Sequence, residues 1–342
     1  MKEQTHLFSN KSVNYIFGGN ITGTLEQYDR EKIVIITDEN VHRYHHGVFE
    51  KFRTIVLKAG EQYKTQQTVD GIIVQLLEMQ ADKNTVIVGV GGGVVTDMAG
   101  YAASIFKRGV RLVLVPTSIL AMVDAAVGGK NGVDVGVYKN MVGTVYQPEI
   151  ILFDHDFLKT LPYEEWVNGF AEVIKHACIK DRKYFEFLEQ HELQDFMDDG
   201  ELIADLIMKN VGIKTAIVIE DEFETGERKL LNFGHTLGHA IENIYHLPHG
   251  HAVSIGMMAA CTISEEIKNF PSEDKGRVKA LLLKYQLPVK IKYETEKIWK
   301  VLLMDKKRQN DSMSFVLLRS IGDGIIQSIP LVQLHDLLDQ GV

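Results

Sequence analysis

The sequence predicts an α/β protein, with an N-terminal α/β domain built on a parallel sheet and a mainly α-helical C-terminal domain. Two observations lead to this prediction. From Lys32 to about Leu152, short β-branched runs alternate with helical segments. After Asp154 the segments become longer and follow a helical period. A chain of 342 residues is long enough for two domains of ordinary size, expected at residues 1–153 and 154–342.

The strands of the first half are nearly continuous apolar runs, the pattern typical of parallel strands covered on both faces. Val69–Gln80 has the pattern of a connecting helix, so the repeating unit is a strand followed by a helix. The predicted strands are Ile33–Thr37, Thr54–Leu57, Thr85–Val88 and Leu112–Val115, with Ile150–Phe153 as one further candidate.

The second half is predicted to be helical, with prolines between several of the helices. A hairpin-like pattern follows late in the chain, at 314–318 and 324–329. The predicted helices cover approximately residues 166–179, 182–190, 201–220, 236–245, 252–268, 272–285 and 296–303.

Composition narrows the class of protein. A net charge of −9 argues against a nucleic-acid-binding protein, which would carry a basic balance. The two cysteines, Cys178 and Cys261, form no disulfide framework and suit a reducing compartment. The N-terminus has no apolar stretch of the signal-peptide type, and the longest apolar run is too short to span a bilayer. We therefore expect a soluble cytoplasmic protein.

Five histidines lie within the seventeen residues from His235 to His251. His235 and His239 are spaced i, i+4, so they share one face of a helix. Imidazole is the commonest metal ligand, and catalytic zinc takes three protein ligands and leaves one position open. The alternative is a hydrogen-bonded pair of helix histidines beside surface histidines. Thr236 stands where a zincin has glutamate, so a third ligand must come from elsewhere in the chain.

A glycine turn, Gly91-Gly92-Gly93, lies between a predicted strand and the start of a helix. Glycines let backbone amides approach a phosphate, and a helix N-terminus favours an anion. A purely structural turn is the alternative, because Thr96 interrupts the G-x-G-x-x-G pattern. Asp38 ends the first strong strand, where it could bind a ribose hydroxyl or cap a helix. The turn and Asp38 favour a Rossmann-like dinucleotide-binding domain.

Basic and amide side chains recur in glycine-rich segments between the predicted elements. A solvated surface lysine explains any one of them, but several sets around the loops of one sheet favour a phosphate or carboxylate site. They are Lys107-Arg108, Lys130-Asn131 and Lys139-Asn140 in the first half, and Lys175, Lys214, Arg228, Asn232 and Lys306-Lys307 in the second.

A series of motifs runs in order from about residue 33 to about residue 322. In the first half they are GEQYK at 60–64, GGGVVTD at 91–97, RG at 108–109, PTS at 116–118, VD at 123–124, GGK at 128–130 and KN at 139–140. In the second half they are AEVIK at 171–175, DExE at 221–224, Arg228, LNFGHTLGHAIE at 231–242, HG at 249–250 and DKK at 305–307. Together these motifs resemble those of the 3-dehydroquinate synthase family.

The resemblance implies a homodimeric lyase that binds NAD and one divalent metal, Zn²⁺ or Co²⁺. It implies conversion of 3-deoxy-D-arabino-heptulosonate 7-phosphate to 3-dehydroquinate and phosphate, a step of the shikimate pathway toward chorismate and the aromatic amino acids. The implied course is transient oxidation with NAD, phosphate elimination, re-reduction and intramolecular aldol closure. NAD is regenerated in each turnover.

The resemblance also assigns residues position by position. The implied metal ligands are Glu172, His235 and His249, and the implied catalytic residues are Lys130, Lys175, Glu224 and His239. The implied NAD-binding residues are Asp38, Asn40, Glu61, Lys64, Gly92, Gly93, Val94, Asp97, Thr117, Ser118, Asp124, Lys130, Lys139, Thr160, Leu161 and Glu165. The implied substrate-binding residues are Arg108, Lys130, Asn140, Lys175, Lys214, Arg228, Asn232, His239 and Lys307, with Lys306 as the alternative to Lys307.

The chain departs from the family pattern at three places. His251 stands where glutamate is common after His-Gly, Thr96 where glycine is frequent, and Ala125-Ala126 where serines are frequent. Neither the change at Thr96 nor that at Ala125-Ala126 removes a group that the implied chemistry requires, whereas His251 alters the surroundings of the implied metal ligands.

Other functions compete with this one. A different sugar-phosphate cyclase, such as 2-deoxy-scyllo-inosose synthase, would share the fold, metal, NAD and phosphate site, but Lys214, Arg228 and Asn232 favour a substrate with a carboxylate. A metal-dependent NAD alcohol or glycerol dehydrogenase would accumulate NADH. A metal- or nucleotide-binding regulator is disfavoured by the number of converging charged groups. Fold alone does not separate these options.

Overall fold

The computed structural model describes residues 1–9, 11–136, 138–303, 308–309 and 311–339. The α/β prediction is confirmed: a parallel sheet carries the first part of the chain and helices dominate the second. The chain divides into two units, one comprising Met1–Glu165 with Asp199–Phe223, the other Trp166–Asp198 with Glu224–Val342. The domain boundary expected after residue 153 stays a prediction.

Seven strands form the sheet of the first unit, in the order β1-β2-β9-β6-β5-β3-β4. Among the described residues, β1 and β2 pair antiparallel and the other pairings of this sheet are parallel. The strands are β1 Lys2–Leu7, β2 Ser12–Phe17, β3 Ile33–Asp38, β4 Arg53–Leu57, β5 Val86–Gly91, β6 Arg111–Pro116 and β9 Ile150–Phe153. A separate antiparallel pair is formed by β7 Lys130–Val135 and β8 Tyr138–Val145.

The first five helices of this unit lie between its strands along the chain, and the sixth follows the last strand. They are α1 Ile21–Leu25, α2 Glu39–Tyr44, α3 His46–Phe49, α4 Gln66–Glu78, α5 Gly93–Ile105 and α9 Gly200–Glu220, with a π-helical turn at Ala121–Ala125. The core between them contains fully buried β-branched side chains such as Ile35, Val88 and Val113. All five predicted strands are present, and β5 begins and ends slightly later than expected.

The strand order places a topological switch point between β3 and β5. From β3 the chain moves to β4 on one side, and it then returns to β5 on the other side. Ligands of parallel α/β sheets bind at the carboxyl ends of the strands at such a point. Asp38 ends β3 and Gly91 ends β5, so both predicted cofactor segments lie at this edge.

The second unit is mainly helical. Its helices include α7 Arg182–Glu189, α8 Leu193–Asp198, α10 His235–Tyr245, α11 His249–Lys268, α12 Ser272–Lys284, α13 Thr295–Leu302 and α14 Leu331–Asp339, together with most of α6 Tyr163–Lys180. The predicted hairpin is present as β11 Ser312–Ser320 and β12 Asp323–Pro330, and β10 Arg308–Gln309 pairs with β11. None of the described helices combines the length and apolarity needed to cross a membrane.

Candidate functional site

Glu172, His235 and His249 come together in the second unit, each from a different helix. Glu172 lies in α6 and is fully buried, while His235 and His249 are the first residues of α10 and α11. Glu172 Oε1 is 3.1 Å from His249 Nε2 and 3.4 Å from His235 Nε2. One ligand atom from each of the three residues lies within 4.8 Å of the others. The three predicted ligands therefore form one cluster.

Glycines allow the three helices to approach closely enough to form this cluster. A Cβ on Gly256 of α11 would lie 1.9 Å from the carbonyl oxygen of Gly234, which precedes α10. A Cβ on Gly250 would lie 2.0 Å from the carbonyl oxygen of Asn168 in α6. No side chain fits at either position, so the glycines set how close α11 comes to α6 and to the start of α10.

Each imidazole is oriented by a hydrogen bond from its other nitrogen. His235 Nδ1 is 3.1 Å from the Phe233 carbonyl oxygen, and His249 Nδ1 is 3.2 Å from Glu242 Oε2. When Nδ1–H donates to these oxygens, the Nε2 lone pairs face Glu172 Oε1. Such partners hold metal-binding histidines in the required tautomer. Two nitrogen lone pairs and a carboxylate oxygen directed at one point repel one another unless a cation lies between them, so this donor set fits a divalent metal.

The electrostatics of the cluster agree with this fit. Burial raises the pKa of Glu172, but Lys175, whose Nζ contacts Glu172 Oε2, and the two imidazoles outweigh it and hold that pKa well below its usual range. Burial lowers the pKa of His249, but Glu172 and Glu242 reverse this and raise it to about 10. Burial lowers the pKa of His235 more than Glu172 raises it. The carboxylates thus favour positive charge where the donors meet.

His239 lies beside the cluster, with its ring centroid 5.1 Å from that of His235 and 6.0 Å from that of His249. A second group of possible metal ligands is formed by His239, Glu242 and His249, whose ligand atoms lie within 4.8 Å of one another. His246 lies at the other end of α10 from His235. It is the C-cap of that helix and has a left-handed backbone, with φ 53°. Glu242 was not among the predicted site residues. Its place in the motif and its helical spacing from His235 and His239 were the available signal.

Two predicted anion-binding residues of the second unit, Arg228 and Asn232, lie in the 3-10 helix Glu227–Asn232, and a third, Lys175, lies in α6. Arg228 is 2% exposed, and Asn232 Nδ2 donates to Glu224 Oε1 at 2.6 Å. Glu224 itself has a left-handed backbone, with φ 61°. Two predicted roles, catalysis for Glu224 and substrate binding for Asn232, thus fall on side chains in direct contact. Lys306 and Lys307 lie outside the described residues.

In the first unit the glycine turn leads directly into a 13-residue helix. Gly92 is the N-cap of α5 and has an extended conformation. As a glycine it makes no side-chain hydrogen bond to the backbone amides of the first turn of α5. A Cβ on Gly93 would lie 3.2 Å from Ala125 Cβ, and a Cβ on Gly92 would lie 3.5 Å from Ser118 Oγ. Thr117 N donates to the Gly91 carbonyl at 2.9 Å. The turn therefore brings the predicted residues 92–94, 117 and 118 together at the N-terminus of α5.

A buried ion pair joins Lys64 to Asp97 of α5, the helix that follows this turn. Lys64 Nζ is 2.6 Å from Asp97 Oδ2 and 2.6 Å from Asn140 Oδ1. Burial raises the pKa of Asp97 more than Lys64 lowers it. Burial also lowers the pKa of Lys64, but Asp97 and Glu61 reverse this and raise it above its usual value. Asn140, predicted to bind substrate, contacts a residue predicted to bind NAD.

Other predicted residues of the first unit are also paired. Lys214 Nζ, from α9, lies 2.6 Å from Asp124 Oδ1 and donates to the Asp124 carbonyl at 2.7 Å. Lys139 Nζ is 3.4 Å from Glu61 Oε1. A further predicted residue, Lys130, is the first residue of β7, and its side chain is exposed.

Asp38 caps α2. Its Oδ1 accepts hydrogen bonds from Asn40 N at 2.9 Å and Val41 N at 3.0 Å. Burial raises the pKa of Asp38, and these two backbone bonds oppose the shift only in part. Asn40 is exposed at the start of the same helix. The structural alternative for Asp38 is therefore realised, while the carboxylate remains at the switch point.

Thr160, Leu161 and Glu165 lie around the junction between the 3-10 helix His155–Thr160 and α6. Thr160 Oγ1 is 2.7 Å from Nε2 of His45, the residue between α2 and α3. His45 was not predicted as a site residue, and its sequence context offers no signal beyond its proximity to Asp38.

Comparison with known proteins identifies the family. The model of the 3-dehydroquinate synthase N-terminal domain matches residues 54–168, and that of the 3-dehydroquinate synthase C-terminal domain matches residues 169–308. The 3-dehydroquinate synthase of Clostridium botulinum (strain Alaska E43 / Type E3) is 42% identical over 314 residues, covering 88% of this chain and 89% of that one.

Solved structures share the fold. A 2-deoxy-scyllo-inosose synthase complexed with carbaglucose-6-phosphate, NAD⁺ and Co²⁺ is 25% identical with a TM-score of 0.86, covering 100% of both chains. ValA, a 2-epi-5-epi-valiolone synthase from Streptomyces hygroscopicus subsp. jinggangensis 5008 with NAD⁺ and Zn²⁺ bound, is 24% identical with a TM-score of 0.87, covering 98% of both chains.

Proposed function

The chain belongs to the 3-dehydroquinate synthase family, and we propose that it converts 3-deoxy-D-arabino-heptulosonate 7-phosphate to 3-dehydroquinate and phosphate. It is an enzyme, a carbon–oxygen lyase that eliminates phosphate and closes a ring. The cyclase alternative is less well supported, because the 2-deoxy-scyllo-inosose synthase is 25% identical whereas the C. botulinum 3-dehydroquinate synthase is 42% identical.

The convergence of Glu172, His235 and His249 is the observation that carries this proposal. These three residues would hold a divalent metal, Zn²⁺ or Co²⁺. Three protein ligands leave one position of a tetrahedral metal for a further ligand. A metal in this position supplies Lewis acidity, which lowers the pKa of a bound hydroxyl. Phe233 and Glu242 keep the two imidazoles oriented. Lys175 balances the charge on the other oxygen of Glu172.

The glycine turn would bind the NAD pyrophosphate, with backbone amides at the N-terminus of α5 facing the anion. NAD supplies a hydride acceptor that is restored at the end of each turnover. Asp38 and Asn40, at the end of β3, would bind the ribose on the same edge of the sheet. The Lys64–Asp97 pair would hold the floor of this region rigid, because both side chains are nearly buried.

Basic side chains would bind the two anionic ends of the substrate. The residues that the resemblance assigns to this binding are Arg108, Lys130, Asn140, Lys175, Lys214, Arg228 and Asn232, and a bound anion would compete with the present partners of Lys175 and Lys214. His239, next to the metal ligands, would contact the reacting part of the substrate and exchange protons with it. We also propose the homodimer and the cytoplasmic location that the resemblance implies, which sedimentation of the purified protein and cell fractionation would test.

Phosphate release from the heptulosonate phosphate tests the function directly. The purified enzyme should release phosphate with NAD present in catalytic amounts, without net NADH absorbance, and a chelator should stop the reaction. Accumulation of one NADH per turnover would instead identify a dehydrogenase. Phosphate release from glucose 6-phosphate, with none from the heptulosonate phosphate, would identify the other cyclase.

A further inference from the structure

Residues 107–109 form a turn in which three successive residues have positive φ. The φ angle is 49° at Lys107, 61° at Arg108 and 101° at Gly109. Glycine adopts this region freely, but a residue with a Cβ does so at a cost. Two such residues in succession persist only where the surrounding structure holds them. The turn that carries Arg108 therefore needs a stabilising contact.

Lys83 supplies that contact. Its Nζ lies 3.1 Å from the Lys107 carbonyl oxygen and 3.5 Å from that of Arg108, and it also contacts the Gly109 carbonyl oxygen. An ammonium group has three donors and no acceptor, which matches three carbonyl oxygens on one side of a turn. Lys83 belongs to the connection between α4 and β5 and is not among the predicted site residues.

The two ends of the turn are fixed by other hydrogen bonds. Gly109 N donates to the Phe106 carbonyl at 2.9 Å, and Val110 N donates to the Ala103 carbonyl at 2.9 Å. Tyr146 Oη donates to the Val110 carbonyl at 2.7 Å. These bonds join the turn to α5 and to Tyr146, which directly follows β8. The contacts of Lys83 differ because they fall on the carbonyls of the strained residues themselves.

We propose that Lys83 is a positioning residue for Arg108. This inference rests on the proposed function, in which Arg108 binds an anionic group of the substrate. By binding the three carbonyls, the ammonium holds the backbone of Arg108 in one conformation, so the guanidinium is ordered before the substrate arrives. Preorganisation of this kind improves binding without adding a contact to the ligand.

Kinetics of Lys83→Met, measured on the NAD- and metal-loaded enzyme, test this role. We expect the KM for the heptulosonate phosphate to rise about tenfold, because a displaced binding group loses affinity. The Ki for inorganic phosphate should rise in parallel, while the KM for NAD stays unchanged. Lys83→Arg, which keeps donors near the carbonyls, should restore much of the substrate KM.

Lys32→Met is the matched control. Lys32 Nζ lies 2.7 Å from Oδ2 of Asp82, the residue that precedes Lys83 in the chain. No described hydrogen bond or ion pair joins Lys32 to the turn at residues 107–109. Its loss should leave the KM for substrate unchanged. An equal rise in Lys32→Met would show that the effect comes from loosening the connection, and it would overturn the proposal.

A double-mutant cycle separates this inference from the proposed function. In an Arg108→Ala background, Lys83→Met should have no further effect on KM, because the group that it positions is absent. Additive effects would overturn the role of Lys83 and leave the function intact. A normal substrate KM in Arg108→Ala would remove Arg108 from the substrate site and the inference with it. Failure of the wild-type enzyme to release phosphate would overturn the function itself.

Discussion

The charged groups around the glycine turn pair with one another, whereas the donors around Glu172 all converge on one point. In the first unit Lys64 meets Asp97 and Lys214 meets Asp124, so each buried charge has an opposite partner. In the second unit two imidazole nitrogens and a carboxylate oxygen face each other. The first region is balanced by protein charges alone, and the second favours an added cation. Substitutions should therefore change fold stability in the first region and metal content in the second.

The largest effect is expected for Glu172→Gln. This change removes the charged ligand, which is the carboxylate that faces Nε2 of both imidazoles. Bound metal and phosphate release should therefore both fall to near zero. Metal analysis of the purified variant, with circular dichroism to verify folding, gives the measurement. The control is Glu265→Gln, in which Glu265 of α11 loses its ion pair with Lys275 of α12, and this variant should retain its metal.

Full metal occupancy in Glu172→Gln and in His249→Ala would contradict the assignment. Loss of metal in His249→Ala alone would favour the neighbouring group of His239, Glu242 and His249 instead. It shares His249, so retention of metal in both variants would exclude that group as well.

Asp97→Asn tests the other side of the comparison. It leaves the Lys64 ammonium buried without its carboxylate partner, and breaking a buried pair in this way typically costs about 3–5 kcal/mol. We expect the free energy of unfolding of the protein to fall by about 3 kcal/mol even without ligand or metal, since Asn140 still accepts from Lys64. Denaturant unfolding measures this change.

Metal content should be unchanged in Asp97→Asn, provided that the variant is assayed well below its unfolding transition. If Asp97→Asn lost metal as well as stability, the charged groups around the glycine turn would affect metal binding at Glu172, which would contradict the comparison. The double variant Lys64→Met/Asp97→Leu should be more stable than Asp97→Asn, because it leaves no unpaired buried charge.

The third prediction concerns Arg228, which is buried and which we propose binds the substrate. Arg228→Ala should remove at least one charge-assisted contact, worth about 1.5–3 kcal/mol. The loss should appear in kcat/KM on the heptulosonate phosphate, with metal content and NAD affinity intact. Normal kinetics in this variant would favour a neutral-sugar phosphate as the substrate.

The fold could be predicted well where hydrophobic pattern determines structure, and poorly where close backbone packing does. The apolar runs of β3 and β6 identify them as buried strands. The hairpin of β7 and β8 lies where the sequence predicts glycine-rich connections, because Gly132 and Gly143 interrupt the strand pattern. Their glycines are required by packing, since a Cβ on Gly132 would lie 2.4 Å from the Val142 carbonyl oxygen. The strand β1 was missed because its residues are mostly exposed and polar.

Among the site residues, too, local sequence patterns predict some contacts and not others. The spacing of His235 and His239 predicts a shared helix face, and their ring centroids are 5.1 Å apart. No local pattern shows that Glu172 meets these histidines, because the contact depends on the packing of α6 against α10 and α11. Only the resemblance supplied that residue. Lys83 had no sequence signal at all, because its partners are backbone carbonyls.

The smallest effect is expected for Asp38, where a structural and a functional role coincide. Asp38→Ala removes the N-cap of α2 and should lower the free energy of unfolding by about 1 kcal/mol. If the carboxylate also binds ribose, the KM for NAD should rise as well. Asp38→Asn separates the two roles, because asparagine caps a helix as well as aspartate but carries no charge. We expect this variant to keep its stability and to show a raised KM for NAD. An unchanged KM in both variants would reduce Asp38 to a helix cap and leave the glycine turn as the main support for the dinucleotide.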